Sequence, residues 1–192
     1  MKKIQEFLLN FSYNAPITLS YFFLCFGVII SNYITKGRTN TLLFSTYRSN
    51  IKDFLLYPRL FLHICGHANW EHFMNNFLYI LILGPMLEEK FGSKNLLCFM
   101  LITALITGII HNCISKKILC GASGVVFLFI TLSSFVNLET NKIPITLVLV
   151  SVLFLLNELI HMFIKKDNTS HLTHFIGAVI GIIIGFIFGG II

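Results

Sequence analysis

Six stretches of the chain stay apolar for long enough to cross a bilayer, and most polar positions fall between them. A helical span needs roughly 20 predominantly apolar residues. On that measure the spans fall at about 15–34, 70–87, 95–113, 118–138, 143–164 and 172–192. Each is expected to be helical, because a backbone group facing hydrocarbon has no water to bond. The connections "EEKFGSKN", "SKK", "ETNKIP" and "KKDNTS" are short and polar. The first connection differs: some 36 residues separate Tyr33 from Trp70, and within them "FLLYPRLFLHICG" is too short to span and is interrupted by Pro58 and Arg59. It reads as a re-entrant or interfacial segment. The predicted fold is all-α, a polytopic membrane protein with a six-transmembrane-helix bundle and a partly membrane-embedded first loop, in a single domain over 1–192. No internal repeat is evident, which gives an inverted-repeat transporter no support.

Composition agrees with the pattern: 56% of residues are hydrophobic and only 11% charged, so the lipid bilayer is the expected surrounding. A net charge of +6 would suit nucleic acid, but the basic residues stand singly or in pairs between apolar runs, as membrane anchors do. Nucleic-acid binding is therefore not expected. The five cysteines are odd in number, lack C-x-x-C spacing and mostly fall inside apolar runs, which argues against a disulfide framework or a zinc knuckle. The opening "MKKIQEFLLNF" has a signal-like positive start but no small-residue cleavage site after it, so no removed targeting peptide is expected.

Polar groups inside the spans bear on chemistry, since an ionised side chain costs about 2.5–3.5 kcal/mol at mid-span and tends to face a cavity or the bundle interior. "HICGHANWEHFMNN" holds His63, His67 and His72, followed by Asn75 and Asn76. On a helix, His72 and Asn76 stand about 40° apart and share a face, whereas His67 is about 140° from His72 and joins them only if the helix starts after it. Metal chemistry has little support. The spacing of His67, Glu71 and His72 is one residue off the inverted zincin pattern, and the lone E-x-x-H at Glu158 and His161 lacks the partners of a di-iron bundle. No metal ligand set and no cofactor is predicted.

The fourth span contains "GASGVVF", Gly121 to Phe127. Alone, "GASG" reads as a small-residue packing surface between helices. A serine becomes a nucleophile only when a base takes its proton, and histidine, titrating near neutrality, is the usual base. The sixth span supplies "HFIGAVIG", in which Gly177 and Gly181 follow His174 at four-residue spacing and allow a close helix approach. If the neighbour is the fourth span, Ser123 and His174 can come within hydrogen-bond reach. His72 and Asn76 are then suitable oxyanion donors, together with backbone N–H groups opening the Ser123 helix. No carboxylate is placed to orient His174, so a Ser-His dyad is expected; Glu158 is the alternative for that role, with a packing or interfacial reading favoured over it.

These residues resemble the rhomboid family of intramembrane serine proteases. "FLHICGHANWEHFMNN" is similar to the family's second-span signature at His67, His72 and Asn76, "GASG" to its G-x-S-G, and "THFIGAVIG" to its H-x-x-G-x-x-x-G. "LEEKFGS" resembles the E-x-x-x-G after the second span, at Glu88 and Gly92, and the likeness runs from about 58 to 192. The resemblance implies Ser123 as nucleophile, His174 as general base and then acid, and His72 and Asn76 as oxyanion donors helped by the backbone amides of Ala122 and Ser123. It implies a supporting place for His67, a tight loop at Gly121 and Gly124, and packing of the sixth span on the fourth through Gly177 and Gly181. It also implies a water-accessible cavity, single-span transmembrane proteins as substrates and a multi-pass place in the cell (inner) membrane.

Two positions depart from the family pattern: Pro58-Arg59 stands where many bacterial members have Trp-Arg, and Phe127 stands where a tyrosine is common. Phe127 keeps the ring for stacking beneath the histidine and loses the hydroxyl. His171 is a rival base, three residues before His174 and expected in the loop. With the N-terminus inside, five Lys/Arg fall inside and nine outside, against the positive-inside rule, while the resemblance implies an active site opening outward. The alternative functions are a protease-like protein that binds transmembrane helices without cutting, and a metal-dependent membrane protein.

Overall fold

The computed structural model describes residues 10–137, 142–164 and 168–189. Helix α1 (Pro16–Ile34) begins with a proline in its first turn, where the missing N–H is no loss. A short α2 (Arg38–Leu42), α3 (Leu56–Leu62) and a 3-10 turn (His63–Cys65) build the first loop. Then follow α4 (Trp70–Phe91), α5 (Ser93–Ile114), α6 (Ser123–Ser133), α7 (Ile145–Val150), a π turn (Ser151–Leu155), α8 (Leu156–Ile164) and α9 (Asn168–Phe188). Pro16–Ile34, Ser93–Ile114 and His171–Phe188 are each long and apolar enough to cross a membrane, and Ser123–Ser133 and Ile145–Ile160 are shorter apolar segments. Outward-facing Phe23, Ile30, Leu78, Ile82, Leu149 and Ile187 are exposed, the inverted polarity of a lipid-facing bundle.

The fourth span is shorter than its apolar run. Over 118–138 a continuous helix is expected, but α6 starts only at Ser123 and is 11 residues long, about 16 Å of helix against a hydrocarbon core of about 30 Å. Before it the chain is non-helical, stitched to the first loop by the Thr46–Leu119 bridge, with N···O distances of 2.8 and 2.9 Å, and by Gly121 N–H donating to the His63 carbonyl at 2.9 Å. Non-helical backbone at membrane depth is tolerated where protein satisfies it. Helix α6 is buried on nearly all sides, so it is the centre of the bundle.

The first loop also corrects an expectation. Pro58 does not interrupt it, because it sits in the first turn of α3, where its missing N–H costs nothing. Arg59 is buried: its Nη1 donates to Asp53 Oδ2 at 3.0 Å, its Nε to the Leu42 carbonyl at 2.9 Å, and its guanidinium lies 4.6 Å from the Tyr47 ring centroid. The pair and the cation–π contact satisfy a charge that would otherwise be costly.

Glu88, at the end of α4, is the second buried charge with a full set of partners. It accepts from Ile17 N–H (2.9 Å), Thr18 N–H (3.0 Å), Thr18 Oγ1 (2.9 Å) and Ser93 Oγ (2.7 Å), tying the starts of α1 and α5 to the end of α4. The two N–H groups are first-turn donors of α1 with no intrahelical acceptor, and a carboxylate suits that end of the helix dipole. Glu88→Ala is expected to cost about 3 kcal/mol, seen as a lower thermal midpoint in detergent; an unchanged midpoint would make the junction dispensable.

Helix α9 packs along α6 through a row of glycines. A Cβ at Gly177 would lie 2.1 Å from the Gly124 carbonyl oxygen, and one at Gly181 2.1 Å from Thr131 Oγ1. Gly185, absent from the sequence motif, extends the row onto the Phe135 ring, 2.3 Å from a Cβ. Thr131 Oγ1 adds a hydrogen bond to the Ala178 carbonyl at 3.1 Å. Such contacts supply the van der Waals gain that holds helices together in lipid.

Candidate active site

Ser123 is the first residue of α6, half-buried, and the turn that presents it is set by Gly121 at φ +134. A side chain at Gly121 would be strained by that φ and would also meet the His72 ring, 2.6 and 2.8 Å from the Cβ position. Glycine is thus needed twice over, for the turn and for His72 to lie on it. Ala122 at the N-cap is buried and gives no side-chain cap, so the first N–H groups of α6 are not spent on a side chain of the cap residue.

His174 lies in the second turn of α9, its ring stacked on Phe127 with centroids 4.4 Å apart and planes within 7°. Phe127 is four residues after Ser123 and therefore about 40° from it on the same face of α6. Beside this stack, a Cβ at Gly124 would touch Thr173 Cγ2 at 3.2 Å. Ser123 and His174 consequently stand on apposed turns of α6 and α9. Among the described residues no hydrogen bond joins Ser123 Oγ to His174; such bonds are often long in a free site and tighten around substrate.

His72 and Asn76 come from the first two turns of α4, which Asn69 caps by accepting from His72 N–H at 2.8 Å. Asn76 is buried, and among the described residues its Nδ2 has no hydrogen-bond partner, a donor in need of an acceptor. Because α4 starts after His67, that residue escapes the helical phase that separates it from His72: the two rings meet edge to face at 5.3 Å. His67 is fully buried against Phe73 and Phe77, with Nδ1 3.3 Å from the Cys65 carbonyl. Burial first, and the nearness of His72 second, push its imidazole down to about 3, so it is neutral.

Glu158 is the site residue whose place the sequence reading misjudged. It lies in α8, buried, with Oε2 2.7 Å from His171 Nδ1 and 3.3 Å from His174 Nδ1. A carboxylate is therefore placed beside His174, contrary to the expectation of none. His171 is likewise not in a loop but inside α9, its ring 6.1 Å from that of His174. The available signal was an acidic residue in the middle of a span, which usually faces a functional interior. Which way Glu158 points depends on how α8 turns against α9, and spacing along one helix carries no information on that. Glu158, His171 and His174 offer ligand atoms within 4.8 Å of one another and are the described group that could hold a metal ion. The side chain of His161 lies outside the described residues.

The sequence model described as Rhomboid domain matches residues 56–191. Rhomboid protease GlpG of Haemophilus influenzae is 29% identical over 132 residues, covering 65% of this chain and 66% of that protein. Rhomboid-like protein 11, chloroplastic, of Arabidopsis thaliana is 26% identical over 137 residues, 62% of this chain and 48% of that protein. Rhomboid protease GlpG of Yersinia pestis (strain Pestoides F) is 27% identical over 129 residues, 67% of this chain and 45% of that protein. The chain spans about half to two thirds of the length of these relatives.

Proposed function

The chain belongs to the rhomboid family, and from that premise we propose that it is an intramembrane serine endopeptidase cleaving single-span transmembrane proteins from a water-accessible cavity. The observation that carries the reading is the apposition of two turns: Ser123 opens the central helix, and the His174 ring lies on Phe127 one turn further along the same face. Its setting is a multi-pass place in the cell membrane.

A peptide bond in a regular helix has its carbonyl engaged in the backbone ladder, so substrate must unwind locally before attack. Ser123 Oγ then bonds to the carbonyl carbon as its proton passes to His174 Nε2. His72, Asn76 Nδ2 and the N–H groups at Ala122 and Ser123 are the donors for the oxyanion, each of the kind whose loss costs about 10²–10³ in rate. Collapse breaks the C–N bond, His174 protonates the leaving amine, and water activated by His174 releases the acyl group. Gly121, Gly124, Gly177 and Gly181 serve by closeness, and His67 by packing behind His72.

A fluorophosphonate probe is expected to label the wild-type protein in detergent and not Ser123→Ala. Cleavage of a model transmembrane substrate is expected to be unaffected by chelator. Chelator-sensitive cleavage without probe labelling would replace the serine reading by a metal-dependent one drawing on Glu158, His171 and His174.

A further inference from the structure

A neutral imidazole has a single N–H, and its position decides whether a histidine can act as a base toward serine. For His174 to take the Ser123 proton at Nε2, the ring's own proton must sit on Nδ1, and a tautomer is set by the partner of the other nitrogen. His174 Nδ1 is buried and makes no well-aligned hydrogen bond among the described residues, which as a lone donor would be costly. The carboxylate oxygen Oε2 of Glu158 lies 3.3 Å away. The stack on Phe127, with planes within 7°, holds the plane of the ring while Nδ1 stands within hydrogen-bond distance of Glu158.

Glu158 is itself held. The bond from His171 Nδ1 at 2.7 Å anchors the same oxygen, and positions 171 and 174 share one face of α9 at three-residue spacing, so both rings reach one carboxylate. The carboxylate leaves α8 just after the π turn Ser151–Leu155, a wide turn of a kind often found at functional sites. An acidic side chain only 7% exposed in a membrane helix needs such partners to remain charged.

We propose that Glu158 is a positioning residue for this reaction, converting the expected Ser-His dyad into a Ser123–His174–Glu158 relay; this rests on the serine reading above. Glu158 accepts from His174 Nδ1–H and keeps Nε2 bare. As Ser123 Oγ bonds to the carbonyl carbon, its proton moves to Nε2, and the resulting imidazolium is neutralised by the carboxylate, which is not protonated. The same proton leaves with the amine when the C–N bond breaks.

Glu158→Gln is expected to lower kcat about 10²-fold with KM and the detergent thermal midpoint unchanged, and Glu158→Asp, which keeps the charge, is expected to recover part of the loss. Nitrogen-15 histidine spectra of an inert Ser123→Ala protein should show His174 as the Nδ1–H tautomer, lost when Glu158→Gln is added. Full kcat in Glu158→Gln, equal loss in the Gln and Asp variants, a loss matched by a fallen midpoint, or a tautomer indifferent to Glu158 would each overturn the proposal. If Glu158→Gln does not fold, the Asp variant and the tautomer of the Ser123→Ala protein decide. Failure of fluorophosphonate to label the wild type would instead sink the serine reading, and the tautomer measurement tells the two failures apart.

Discussion

On the proposed function, Ser123→Ala is expected to bind a transmembrane substrate and to leave it uncut. On the proposed mechanism, removing Oγ takes away the atom that bonds to the carbonyl carbon, and nothing else at the start of α6 can replace it: Ala122 and Gly124 flank the position and neither carries a nucleophile. Loss of the nucleophile in soluble serine proteases costs at least about 10⁴-fold, leaving only what binding and oxyanion donors supply. The fold should be indifferent. Ser123 is half-buried at the first helical position, and its hydroxyl has no hydrogen-bond partner among the described residues, so alanine leaves no orphaned group. An assay following a labelled substrate in detergent, alongside thermal melting, separates the outcomes. Cleavage at the wild-type rate would end the serine mechanism.

Gly177→Val should be nearly as damaging to activity, and for a mechanical reason. The three nearest atoms that the new Cβ meets are all main chain: the Gly124 oxygen at 2.1 Å, its carbonyl carbon at 2.9 Å and its Cα at 3.1 Å. Backbone cannot swing aside as a side chain can, so α9 must move away from α6 by about 1 Å. Overpacking of this kind costs about 1–3 kcal/mol, and a misplacement of that size at a reacting pair can cost about 10²-fold in rate. The displaced turn also carries His174, three residues earlier. Gly27 in α1 is the internal control, since a Cβ there meets nothing within 4 Å, and Gly27→Ala should leave both melting and cleavage unchanged. Equal behaviour of the two variants would show that the α6–α9 contact does not govern the site.

Much of this molecule was legible along the chain because the relevant physics is one-dimensional. Apolar run length located α1, α5 and α9 within a few residues, since bilayer thickness sets a length that composition alone can meet. The shared face of His72 and Asn76 was legible too, because helical phase is a local property once α4 is known to contain both. Where the reading went astray, the cause lay in contacts distant in sequence. Helix α6 begins five residues later than its apolar run because Gly121 is held by the His63 carbonyl and Leu119 pairs with Thr46. Arg59 is buried because Asp53, Leu42 and Tyr47 surround it.

By itself, then, the sequence determined which segments are apolar enough to enter a bilayer and which residue types they would carry there, because transfer into lipid is charged to each residue separately. Only the tertiary structure decided that Glu158 faces His171 and His174 instead of a packing seam. That outcome depends on the rotation of α8 about its own axis and on its height against α9. Both are settled by side-chain fit between two helices, and no periodicity within either one encodes them.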